Sequence, residues 1–106
     1  MANVDYMKVF SAAAASLNMS EDLNVAAVDI NKYSALIKKN DTVEIEFIAE
    51  LENSAIELTI SKNSIPVKDY QRFLSNFEYN LEQKFFKNIQ PVSTETGKEY
   101  RIKISF

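Results

Sequence analysis

Fifteen acidic and twelve basic side chains, with no histidine and no cysteine, are the raw material for chemistry in this chain. Without an imidazole or a thiol there is no Cys nucleophile, His-based triad, zinc finger or His metal site to build. What remains for bond-making is carboxylate, phenol, amine and hydroxyl, and the carboxylates are patterned. Residues 41–61 hold Asp41, Glu44, Glu46, Glu50, Glu52 and Glu57 and no base, a local charge of −6. Residues 62–106 hold eight bases and five acids, and residues 1–40 balance four against four, which returns the overall −3. A carboxylate pair does acid–base or metal work when its environments push the two pKa values apart, usually in a cleft. Glu44, Glu46 and Glu50 instead alternate with apolar residues and share one strand face. That arrangement suits a docking face for a basic partner, an acidic mimic of nucleic acid, or plain solubilisation of a strand. No phosphate-binding loop, nucleophile elbow or metal-loop spacing accompanies them. The expectation is a protein that is not an enzyme and takes no cofactor or metal.

The second set is aromatic. Tyr79 and Phe86, seven residues apart, fall opposite the apolar stripe of their helix, with Arg72 and Gln83 beside them. Tyr, Phe and Arg are the residues enriched at interface centres, so these four are expected to bind another protein or a second copy in a homodimer, unless the N-terminal helices wrap round to cover the aromatics. Lys84, Lys87, Lys98, Arg101 and Lys103, interleaved with Tyr79, Phe86 and Tyr100, could also hold a single nucleic-acid strand. The negative net charge and the presence of only two arginines argue against that. The expected function is therefore a small protein-binding module, an assembly subunit or an inhibitor or regulator of a larger machine. The alternatives are an acidic nucleic-acid mimic and a nucleic-acid-binding accessory protein. Ten lysines against two arginines, with ten asparagines, fit the AT-rich coding sequences common in bacteria and phages.

The elements that must position these residues are read from periodicity. The long helix spans Pro66 to Ile89: Tyr70, Phe73, Leu74, Phe77, Leu81 and Phe85 fall within one arc, Ser64 is placed to cap it, and Pro91 forbids its continuation. Val4, Met7, Phe10, Ala14 and Leu17 predict a first helix. Ser20 as a cap, then Leu23, Ala27, Ile30, Ser34 and Ile37, predict a second, against a competing short strand over residues 25–30. After a turn at Asn40-Asp41-Thr42 the period becomes two. Val43–Glu52 and Ile56–Ser61 form a hairpin, and after a polar connection over residues 93–98, Tyr100, Ile102, Ile104 and Phe106 mark a last strand.

The 106 residues, 46% hydrophobic and 25% charged, suffice for one α+β domain over 1–106. Its expected order is α-α-β-β-α-β, a three-stranded antiparallel sheet covered on one face by the long helix and two N-terminal helices. Strand order second–first–third brings Arg101 and Lys103 against Glu44, Glu46 or Glu50. No run is long enough for a membrane span, and Val9–Leu17 lacks the basic flank of a secretion signal, so a cytoplasmic protein is expected.

Overall fold

The computed structural model describes residues 2–19, 23–39 and 43–106, with side chains over 5–19, 23–37 and 45–106. Along them run α1 (Ala2–Ser16), β1 (Asn24–Asp29), β2 (Lys32–Lys39), β3 (Val43–Glu52), β4 (Ala55–Ser61), α2 (Val67–Phe85), β5 (Val92–Glu95) and β6 (Glu99–Ser105). The strands make one antiparallel sheet of six in the order β1-β2-β3-β4-β6-β5. The class is α+β as expected; the three-stranded sheet with three helices is not what forms.

The largest correction is at residues 23–39, a hairpin instead of a second helix. The helical spacing of Leu23, Ala27, Ile30, Ser34 and Ile37 is present, yet Ala27 and Ile30 are exposed, while Ala35 and Ile37 are buried on a period of two. Pairing decides the outcome. β2 makes a full ladder with β3, in which Lys38 takes the position opposite Glu44 and Lys32 that opposite Glu50; a pair of opposite charges such as Lys32 and Glu50 contributes about 0.2–1 kcal/mol. The competing strand over 25–30 lies close to β1. At the hairpin's turn the Asp29 carboxylate accepts the Ile30 N–H at 2.8 Å. The Ser20 cap and the Asn40–Thr42 turn lie outside the described residues.

Strand order is corrected for the same reason. β6 pairs with β4, placing Lys103 opposite Glu57 and Arg101 opposite Thr59, and not beside β3. Placing these cations against Glu44, Glu46 or Glu50 assumed that no other base could reach that stripe. β2 sets Lys32 opposite Glu50 on the far side of the stripe, and Lys103 Nζ lies 3.1 Å from Glu52. β5 falls in the stretch read as a polar connection. Its turn into β6 is closed by the Thr96 N–H donating to the Glu99 carbonyl at 2.9 Å, and by Thr96 Oγ1 accepting the N–H groups of Lys98 and Glu99.

Both helices cover one face of the sheet. From α2, Tyr70, Phe73, Phe77 and Leu81 are buried, with Leu74 and Phe85 packed partly against the core as the stripe predicts. Tyr70 stacks on Tyr100 of β6 with ring centroids 3.6 Å apart. The helix starts later and stops earlier than its expected limits. Pro66 is the N-cap, without a side-chain cap bond from Ser64, and the last helical residue is Phe85. In α1 the buried face is Tyr6, Val9, Phe10 and the run Ala12–Ala14, whereas Met7 is exposed, so the stripe is rotated from its expected position. The small alanines allow α1 and α2 to pack against each other. Asn80 of α2 donates to Ser16 Oγ at 3.0 Å, and Ser16 donates to the Ala12 carbonyl at 2.6 Å, which satisfies a buried hydroxyl. Among the described residues no helix is long and apolar enough to cross a membrane.

Candidate functional site

Each helix is followed by a residue with positive φ, and the two residues differ in kind. α1 closes on Asn18 at φ 56°, the N–H groups of Asn18 and Met19 returning to the carbonyls of Ala15 and Ala14 at 3.1 and 3.0 Å. Asparagine tolerates this left-handed well. α2 closes on Phe86 at φ 57°, ψ 37°, its N–H donating to the Glu82 carbonyl at 2.9 Å. For a phenylalanine that well costs about 1–2 kcal/mol, and glycine is its usual occupant. The Phe86 ring recovers nothing in the core, because the residue is 90% exposed.

Other rings and cations surround this helix end. Phe85 packs on Phe106 with centroids 4.9 Å apart, Lys87 Nζ lies 5.6 Å from the Phe106 ring centre, and Lys8 of α1 lies 5.1 Å from that of Phe85. Ammonium groups are favoured here twice over, by the ring faces and by the negative end of the helix dipole. Tyr79, 61% exposed, and exposed Gln83 lie on the turns of α2 leading to this end. The assembly is a convex aromatic tip edged with positive charge.

The structure separates the remaining candidates from this tip. Arg72 stands fourteen residues before Phe86, about 21 Å along a helix. It pairs with Asp69 at 3.0 Å and borders a cleft of about 500 Å³ that also includes Met19, Ile45, Ile65 and Phe73. Glu46 and Glu50 are exposed on the sheet face that no helix covers. Glu44 lies opposite Lys38 in the ladder, and its side chain is outside what is described. Along one row the order is Lys32, Glu50, Glu57, Lys103, so the acidic stripe is bordered by bases on both sides. Among the described residues no three carboxylates gather closely enough to hold a metal ion. Tyr100 is buried against Tyr70 and offers no free ring face to a nucleobase.

Two phenols titrate above their ordinary value of 10.0. Burial is the main cause for Tyr6 and for Tyr70; hydrogen bonds, from the Leu51 backbone and from the Ser93 side chain, pull partly the other way. Tyr6 donates to the Asn31 carbonyl at 2.5 Å and Tyr70 shares a hydrogen bond with Ser93, so both act as ties between helix and sheet.

Sequence reasoning placed Tyr79 and Phe86 on one helix line, but the backbone leaves the helix at Phe86, so helical spacing does not reach it. It missed Phe106 and the strained cap. A signal was present: between Leu81 and Gln90 there is no glycine, so a left-handed helix end had to fall on some other residue. Comparison with protein-family models, curated proteins and solved structures finds no match.

Proposed function

We propose that this chain is a non-enzymatic protein-binding module, an assembly subunit or a regulator of a larger machine, that engages its partner through the aromatic tip at the end of α2. One observation carries the reading: Phe86 is held in a strained left-handed conformation with its ring in water. Stability alone favours glycine there, and retained strain is a mark of binding sites. The partner surface that fits is an apolar pocket bordered by carboxylates, since Lys8 and Lys87 flank the rings. Tyr79 and Gln83 extend the contact along α2. A cysteine-free chain of this kind suits the cytoplasm.

The acidic-mimic alternative loses support from the bases bordering the glutamate stripe, and the nucleic-acid-binding alternative loses it from the burial of Tyr100. The test is Phe86→Gly. That substitution relieves the backbone, so the variant should melt at or above the wild-type temperature while losing the proteins that the immobilised wild type retains from host extract, identified by mass spectrometry. Retention of the same proteins by wild type and variant would rule out the tip as the binding surface.

A further inference from the structure

The two edges of the sheet are built differently. β5 is four residues long, follows Pro91 and is held by a side-chain-closed turn, and such features discourage another strand from adding. β1 has six residues, and between Leu23 and Val28 there is no charge and no proline. Five of its six residues are exposed, and among the described residues no strand pairs with its outer side. Its one irregularity, between Ala27 and Asp29, lies at the far end and leaves Asn24–Ala27 in regular register with β2. The same hairpin carries three exposed large apolar residues, Val28, Ile30 and Leu36.

We propose that β1 pairs antiparallel with β1 of a second copy about a two-fold axis, joining the two sheets into one. With the axis at Ala26, Val25 falls opposite Ala27 of the second copy within the regular stretch, and the nearest charge, Asp29, lies beyond it, so no like charges meet. A foreign peptide added to an edge is read through pockets for its alternate side chains, and Ala26 and Ala27 provide none. Self-pairing needs no such pockets, because each contact is made twice by symmetry. The blunted β5 edge stops the assembly at two copies, where pairing of β1 with β5 would run on into a filament. This surface is independent of the aromatic tip, and β6, which leads to Phe106, lies four strands away across the sheet.

Sedimentation equilibrium of the pure protein, from micromolar to near-millimolar, tests the proposal without any partner. The wild type should reach twice the mass of one chain. Ala26→Lys places two like charges at the axis and should raise the dimer dissociation constant about tenfold or more with an unchanged circular dichroism spectrum. Thr94→Lys, the same change on β5, should dimerise as wild type does. A wild type that stays at single-chain mass throughout, or a dimer that persists in Ala26→Lys or dissolves in Phe86→Gly, would overturn it. If Ala26→Lys does not fold, hydrogen exchange on the wild type decides. Amides of residues 24–28 should be protected more as concentration rises, and exchange independent of concentration would overturn the pairing.

Discussion

The hydroxyl of Tyr100 is buried and, among the described residues, has no hydrogen-bond partner, although the ring is well packed on Tyr70 with Lys62 beside it. A buried polar group without a partner costs about 1–3 kcal/mol. Tyr100→Phe keeps the ring and removes the cost. It should raise the unfolding free energy by about 1 kcal/mol in chemical denaturation; a loss of stability would mean that the hydroxyl is satisfied. Burial raises the pKa values of Tyr6 and Tyr70 above 10.0. In the unfolded chain these phenols ionise first, so above pH 10 the unfolded state binds fewer protons than the folded one and stability falls as pH climbs. Melting temperature should be insensitive to these groups below pH 10 and drop beyond it, less steeply in Tyr70→Phe. Phe86→Gly should gain about 0.5–1 kcal/mol, the relief of left-handed strain set against the greater freedom of glycine in the unfolded chain.

At the scale of elements, the pairing of β4 with β6 predicts which charges feel one another. A double-mutant cycle with Glu57→Lys and Lys103→Glu should show a favourable coupling of about 0.2–1 kcal/mol, and the same cycle between Glu46 and Lys103 should show none. Coupling only in the second cycle would contradict the register. α2 was legible because its stripe is wide and one-sided, and β3, β4 and β6 because their apolar residues recur on a period of two, with mostly polar residues between them. The β1–β2 hairpin was not. Its residues include good helix formers, its turn at Ile30-Asn31 has no glycine or proline, and its stabilising partners are the glutamates of β3, contacts that exist only after pairing. That one misreading removed two lysines from the charge balance and misplaced β6 in turn. At the site, the exposure of Tyr79 followed from the helical period, whereas Phe86 is exposed because the chain has already left the helix there. The left-handed cap did not follow from it, because where a helix stops depends on tertiary packing.

For the whole molecule, position in the chain and position in the sheet do not coincide. β6 is the last element described, yet it lies between β4 and β5 and contributes Tyr100, Ile102 and Ile104 to the core. Removing residues 99–106 strips three large core side chains and orphans β5, so the truncated chain should lose cooperative unfolding by circular dichroism. Persistence of a sharp melt would mean that α1, α2 and the first four strands hold together alone. The arrangement also bears on how the protein is made. At about 5–20 residues per second, a ribosome needs roughly 2–8 s to pass from Ser61 to Glu99. Until β6 follows, the edge of β4 meant for it has no strand to pair with, and Ile56, Leu58 and Ile60 lack their cross-strand neighbours Ile104, Ile102 and Tyr100. The nascent chain therefore passes through a sticky period that the finished protein does not retain, and slower translation between α2 and β6 lengthens it.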